Sequence, residues 1–346
     1  MVGGVTHKFF GKELRYYGRA TELPAARAHQ GATANEYYAI FAGGRDADYG
    51  SYVANVYAYN TTLTRSTATS LSAARQYMGA EKTGEYAIFA GGDGYKPSYK
   101  QDVDVYDQNL TKSSGTVLTT AVCRLGSAHV GDYAVFAGGY GVNGSGTALV
   151  RKIVYAYSSA LTQTKPTELQ SARARIAGAN VGNYAVFAGG DSKTHVDAYD
   201  QSLTRSIATE LAQARTEHAG ATVGDYALFA GGQNSLNSPV TYYASVEAYT
   251  TGLTRISAPD LSIARSALRG TTLGEYAIFG GGGNRYVVAT VDAYDTSLTR
   301  QIMTDLCIAR MYAAAASIGN YALFAGGVSS ISEGTASKKV DVYTVD

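Results

Sequence analysis

Two kinds of hydrophobic run follow each other in fixed order along this chain. The first is a seven-residue phrase, YAIFAGG or a close variant, at 38–44, 86–92, 133–139, 184–190, 226–232, 276–282 and 321–327. It is apolar on both faces of an extended strand, with small alanines between larger residues, as expected of a strand covered on both sides. A glycine followed by Asp, Glu or Asn precedes six of the phrases, as in Gly224-Asp225, and marks a tight hairpin. The second run has the form VxxY, as in 246–249, and leads through a polar turn into Leu-Thr-Arg, as in 253–255. The VxxY and Leu-Thr-Arg stretches alternate more, which predicts strands nearer a sheet edge. Each unit thus reads as four short strands, a to d, with the phrase in b. No segment has sustained helical periodicity.

The spacing shows where the repeat can change. The tyrosines that open successive phrases lie 48, 47, 51, 42, 50 and 45 residues apart, and the segments between double glycine and VxxY hold 11, 10, 14, 5, 13 and 8 residues. Removing the second number from the first leaves 37 every time. All length variation sits in the loop between strands b and c, the usual design of a rigid scaffold with one adaptable surface. A fixed period of this size implies stacked units, so the chain is expected to form one body over 1–346, with 1–12 as an N-terminal extension.

A double glycine ending one strand, a tyrosine closing the next and often followed by aspartate (Tyr106-Asp107, Tyr199-Asp200, Tyr294-Asp295), and an arginine opening the next unit together resemble kelch repeats. The resemblance covers residues 13–346, and the wording VDAYDTSLTR is similar to divergent bacterial or phage-encoded arrays. It departs in one respect: the tryptophan usual in strand d is absent, and Leu63, Leu110, Leu161, Leu203, Leu253 and Leu298 stand close to its place. The resemblance implies an all-β, seven-bladed β-propeller of four-stranded antiparallel blades. The last unit stops at VDVYTVD without a strand d, whereas residues 14–23 match a strand d with no strand c before them. The N-terminal strand is therefore expected to complete the C-terminal blade and close the ring.

Composition narrows the function classes. With 29 basic and 28 acidic residues the net charge is +1, which gives no electrostatic case for nucleic acid. No apolar leader region and no run of about 18 apolar residues is present, so no membrane insertion is expected and a cytoplasmic or virion-associated chain is favoured. Cys123 and Cys307 fall at non-equivalent repeat positions, which argues against a disulfide framework.

Candidate binding residues follow from strand direction, which puts the b–c loops and the d–a connections on one face. Strand a is expected to open with Arg27, Arg75, Arg173, Arg215, Arg265 and Arg310, with Val122 in the third unit, so that six arginines ring the channel mouth. Five units carry an acid five positions earlier (Glu22, Glu168, Glu210, Asp260, Asp305), and the unit with Val122 has Val117 there. That joint absence points to an ion pair fixing the d–a turn as the competing account of the arginines. Two residues further on stand His29, Tyr77, Arg124, Arg175, Glu217, Ala267 and Tyr312. Such diversity within a near-identical scaffold suggests a surface that reads a partner, against the plainer alternative of an exposed rim free to vary. The loops add Tyr49, Tyr52, Tyr95, Tyr99, Tyr140, Tyr242, Tyr243 and Tyr286 among small polar residues, a composition suited to adaptable contact.

Catalytic and cofactor motifs give little. Residues 139–144 spell GxGxxG but no helix is expected after them, Asp46-Ala47-Asp48-Tyr49-Gly50 lacks the downstream glutamate of a calcium loop, and the five histidines are scattered. No cofactor, metal or catalytic residue is assigned. The leading expectation is a non-catalytic module that binds a protein or a glycan through the b–c loop face. The alternatives are a sugar-acting enzyme at an arginine-lined channel and a structural module of a phage or cell-surface assembly.

Overall fold

The computed structural model describes residues 12–46, 51–95, 98–142, 147–237, 239–330 and 335–346. The described chain is all-β and forms a β-propeller of seven four-stranded antiparallel sheets. Blade 5 is typical, with strands Ala219–Val223, Tyr226–Ala230, Val246–Thr250 and Arg255–Ala258 paired in sequence order. Blade 7 is assembled from both ends of the chain. Its first three strands are Ala314–Ile318, Tyr321–Ala325 and Val340–Val345, and Leu14–Arg19 pairs antiparallel with the last of these, Leu14 opposite Val345. Two further small sheets lie outside the blades, at the b–c loops.

The hairpin signal between strands a and b acts as expected. In six blades a glycine with φ between +49° and +55° takes the first central turn position (Gly84, Gly131, Gly182, Gly224, Gly274, Gly319), the conformation a type II′ turn needs there. Blade 1 uses Asn35 instead, whose side-chain oxygen accepts from the Tyr37 and Tyr38 amides.

Burial explains why the phrase is apolar throughout. After its half-buried tyrosine, strand b is buried at every position in all seven blades. The reading of strand c as nearer an edge needs correction: Val246, Glu247, Ala248 and Tyr249 are all buried, and so are their counterparts in the other blades. Both middle strands are sandwiched between neighbouring blades. The strand that truly alternates is a, whose second and fourth residues are part-exposed in blades 1, 3, 4, 5 and 7 and line the central channel.

Two contacts of one tyrosine recur in every blade, the first within the blade and the second to its neighbour. The tyrosine of VxxY packs edge-on against the phenylalanine of strand b, with ring centroids 5.8–6.0 Å apart. Its hydroxyl donates to a carbonyl just past strand d of the preceding blade, as Tyr106 does to Thr69 at 2.7 Å and Tyr249 to Thr209 at 2.7 Å. All seven such bonds are 2.6–2.8 Å, and Tyr59 to Thr21 and Tyr343 to Thr304 carry them around the closure. The leucines of Leu-Thr-Arg lie in the c–d turn, before strand d, with φ between +57° and +62°. This backbone is unfavourable for leucine by about 1–2 kcal/mol, and side-chain packing between blades offsets it, as Leu203 shows in the core with Val154 and Ile176.

Two predictions follow from this architecture. Removing residues 1–23 strips the outer strand from blade 7 together with the buried Leu14 and Leu23. The melting midpoint is expected to fall by several degrees, with a broader transition in scanning calorimetry, because a four-stranded edge becomes an open one. The second concerns His218, which is wedged between blades with Nε2 donating to Ala188 O at 3.0 Å. Burial, helped by Arg215, lowers its pKa to about 3, so its neutral form stabilises the fold fully above the unfolded value of about 6.5 and progressively less as pH falls towards 3. His218→Leu, the residue found at this position as Leu125 and Leu268, is expected to reduce the loss of stability between pH 7 and pH 5 by about 2 kcal/mol, read from denaturant unfolding at the two pH values.

Candidate functional site

The b–c loops and d–a connections share one face, as strand direction requires. In blade 1, Arg27–Ala28 pairs with Arg45–Asp46, and Arg45 bridges Tyr52. Blade 3 repeats this with Val122–Cys123, Tyr140–Val142 and Ala148–Val150. Isolated bridges such as Gln76 to Asp93 to Tyr99 and Thr216 to Gln233 to Tyr242 do the same elsewhere. The GxGxxG segment therefore begins inside a β-ribbon, and its last residues lie outside the described ones.

The six arginines do not ring the channel mouth. Arg27, Arg75, Arg173, Arg215, Arg265 and Arg310 precede strand a and are buried, at most 1% exposed. Each is a junction between two blades. The second amide of every double glycine donates to the carbonyl at this position in the following unit, from Gly44 to Arg75 O at 2.9 Å through to Gly327 and Arg27 O at 2.9 Å, which closes the circle. Both glycines have positive φ, and a Cβ on Gly43 would collide with that same Arg75 carbonyl.

The competing account, a structural ion pair, identifies the right role with the wrong acid. The partner is the second residue of strand c in the blade the arginine enters: Asp104 with Arg75 at 2.7 Å, Asp197 with Arg173 at 2.5 Å, Glu247 with Arg215 at 2.7 Å, Asp292 with Arg265 at 2.9 Å and Asp341 with Arg310 at 2.5 Å. The same carboxylates accept from d–a turn amides, as Asp104 does from Ser72 and Glu247 from Ala212. In blade 3 the arginine is Val122 and the acid is Tyr155, whose hydroxyl takes over the turn by accepting from the Thr120 amide at 3.1 Å. Arg27 faces Tyr57 instead of an acid, its guanidinium 4.7 Å from the ring centre. The acids five positions upstream are on the surface, where Glu22 meets Lys338 and Lys339, and Glu168 meets Lys152.

The seven diverse positions do not form an open rim but come together at the axis. His29, Tyr77, Arg124, Arg175, Glu217, Ala267 and Tyr312 precede strand a, and all have φ between +52° and +57°. The amide of one donates to the carbonyl of the one before it in six of the seven steps around the axis, including His29 to Tyr312 at 3.3 Å and Arg124 to Tyr77 at 2.8 Å. Their side chains converge and plug the channel. The His29 ring lies 4.4 Å from Tyr77 and 4.5 Å from Tyr312, and the Arg124 guanidinium sits 3.6 Å over Tyr77. Glu217 pairs with both Arg124 at 3.3 Å and Arg175 at 3.1 Å, while Arg175 also meets Asp191 at 3.0 Å. Seven identical side chains could not share one axis; this mixture of cations, an anion, rings and a methyl packs against itself.

The loop tyrosines divide into two sets. Tyr140 binds Arg175 at 2.8 Å and Asp191 at 3.0 Å, Tyr243 lies under Arg215 at 5.3 Å, and Tyr99 and Tyr242 are half-buried at loop bridges. Tyr95 and Tyr286 are 78% and 76% exposed, the Tyr95 ring meeting that of Tyr52 edge-on at 6.5 Å. Tyr52 lines an open cleft of about 500 Å³ with Tyr95, Ser98 and Lys100, between the loops of blades 1 and 2. Tyr49 lies outside the described residues. Nearby Asp93 has its carboxyl pushed up to about 6 by burial.

Sequence reasoning missed Asp191, Arg269 and the strand c acids. The acids carried a readable signal, because Tyr155 replaces the acid in the one repeat where Val122 replaces the arginine. Among the described residues no three His, Cys, Asp or Glu side chains could hold a metal ion, and no helix is long and apolar enough to cross a membrane. Cys123 and Cys307 are free, the former buried with its thiol pushed up to about 12.

Exchanging one buried pair for its blade 3 counterpart tests the account of the arginines. Arg173→Val and Asp197→Tyr should each cost about 3–5 kcal/mol by stranding a buried partner. The double variant should recover most of that loss in denaturant unfolding, since it recreates the Val122–Tyr155 arrangement.

No family model matches the chain, and no curated protein matches it in sequence. Among solved structures it is similar to one titled "Structure of YjhT", with a TM-score of 0.63 at 12% identity over 82% of this chain and 99% of that one. At that identity the likeness concerns the fold, and with the seven sheets and their closure it makes this chain a β-propeller.

Proposed function

We propose that this chain is a kelch-type propeller acting as a non-catalytic binding module, which recognises a protein or glycan through the b–c loop face. The observation that carries this reading is the pair of almost fully exposed tyrosines, Tyr95 and Tyr286, on the only connections that vary in length. Large exposed aromatic rings lose apolar hydration on binding and little rotamer entropy, so they serve as contact anchors. The Tyr52–Tyr95 cleft adds the Lys100 ammonium and the Ser98 hydroxyl for polar recognition. The kelch assignment rests on the repeat wording: the double glycine, the tyrosine of strand c and the arginine that opens the next unit.

The catalytic alternative has less support. Glu217 serves as counter-ion to Arg124 and Arg175, and Asp191 as counter-ion to Arg175, so both carboxylates at the plug are engaged by its cations.

A glycan array and a pull-down with purified protein identify the ligand. Tyr95→Ala and Tyr286→Ala are then each expected to weaken binding by about fivefold or more, since anchors of this kind contribute more than about 1 kcal/mol each. The melting midpoint should not move, because neither ring packs in the scaffold. Full binding by the double variant would place the contact surface elsewhere.

A further inference from the structure

We propose that the channel beneath the plug binds a small oxyanion, a carboxylate or a phosphate, with Arg269 as its principal ligand and Arg124 and Arg175 beside it. Arg269 breaks the pattern of strand a. The first residue of that strand is glycine or alanine in the other six blades, among them Gly31, Gly126, Ala177 and Ala314. Its cross-strand partner is altered too, being Gly280 where the other blades have alanine.

Among the described residues the charge on Arg269 has no counter-ion. Its guanidinium lies 5.8 Å from the Tyr312 ring centre, and Nη1 donates to Leu268 O at 3.0 Å. Among the described residues no carboxylate lies within ion-pair distance of it. A half-buried cation without a partner is unfavourable, and this fold meets such charge with a carboxylate at five of its six junction arginines and with the Tyr57 ring at the sixth, Arg27.

Arg269 faces a cavity of about 260 Å³ that Arg124, Arg175, Tyr77, Glu217 and Gln30 also line. Three guanidiniums thus meet one carboxylate. Asp191, which neutralises Arg175, reaches it from the loop side and is not part of the lining. The space exceeds the roughly 30 Å³ of a liquid water several times over. Planar guanidiniums in this number match the oxygens of a carboxylate or phosphate.

Access is from the face opposite the loops. The cavity continues past small residues such as Ala80, Gly178 and Gly220 into a second space of about 500 Å³, lined by Asn180, Thr222, Thr272 and Ser317. The site therefore opens on the face opposite the loops, with the plug between it and Tyr95 and Tyr286 of the proposed contact surface. Either can fail without the other.

The test is calorimetric titration of the intact protein with sodium phosphate and, separately, sodium acetate at constant ionic strength. Arg269→Ala and Arg300→Ala are run in parallel. Arg269→Ala restores the residue that other blades carry and should keep the fold, checked by circular dichroism and melting; Arg300 is the control, a cation on an outer strand. Saturable binding of either anion, weakened at least about tenfold in Arg269→Ala and unchanged in Arg300→Ala, is expected. The arm that binds tells carboxylate from phosphate. No binding of either anion, equal binding by Arg269→Ala, or equal weakening by both variants overturns the proposal.

Discussion

One backbone contact sets the geometry of everything else: the second glycine of each phrase donates to the carbonyl of the residue at the entrance of the next blade, seven times out of seven. The contact demands a positive φ and no Cβ, so the phrase must end in two glycines. It also fixes the incoming residue at the top of its own blade. There the arginine side chain turns inward, donating to strand b carbonyls, as Arg75 does to Phe89 O and Arg310 to Phe324 O, and to the strand c acid. A single residue thus joins two blades by its backbone and stitches one blade by its side chain. The constant remainder of 37 residues is the sequence expression of that requirement. Any insertion in the a–b turn, the c–d turn or the d–a connection would shift the arginine away from its glycine. The b–c loop escapes, because it leaves after one contact and returns before the next.

The fold was legible in the sequence because these contacts repeat. The hairpin glycines, the fourfold strand count and the exchange of a missing strand d for a spare one all rest on residues written six or seven times. The site was legible only in part. Periodicity placed the arginines on the loop face of the channel, yet the left-handed residue that follows two positions later reverses the local direction and leaves the arginine inside the blade. The acid five residues upstream was the wrong partner because proximity in sequence does not place side chains within a blade; register does. Asp197 meets Arg173 from strand c, 24 residues on. The alternation assigned to strand c failed for a related reason, since in a ring of sheets the middle strands have no outer face.

Diversity at the axis also has a packing cause. Equivalent residues of seven blades point at one line, so whatever occupies one position restricts the others. Arg124 and Arg175 are tolerated together because Glu217 lies between them, and Tyr77 and Tyr312 fit because His29 separates their rings. Near-identical repeats must therefore stop being identical where they converge. Variation at such positions reflects mutual constraint and by itself says little about a ligand. The exposed loop tyrosines are different, because no neighbouring blade restricts them.

That distinction bears on how charge is handled in this molecule. At five of the six junctions where the scaffold forces an arginine inside, the same blade supplies an acid, at Arg27 it supplies the Tyr57 ring, and where the cation is lost, as at Val122, a tyrosine hydroxyl inherits the turn. Buried ion pairs of this kind add little net stability over an apolar replacement, and blade 3 is such a replacement occurring naturally. Their value lies in specifying one arrangement of the turn. Arg269 stands outside this logic. It is not at a junction, it pairs with no acid of its own blade, and the ring of Tyr312 compensates it only as a π-face does. A scaffold that pairs its buried arginines with such regularity leaves this one charge directed into the lumen, where solvent ions and small anionic ligands are the partners available to it.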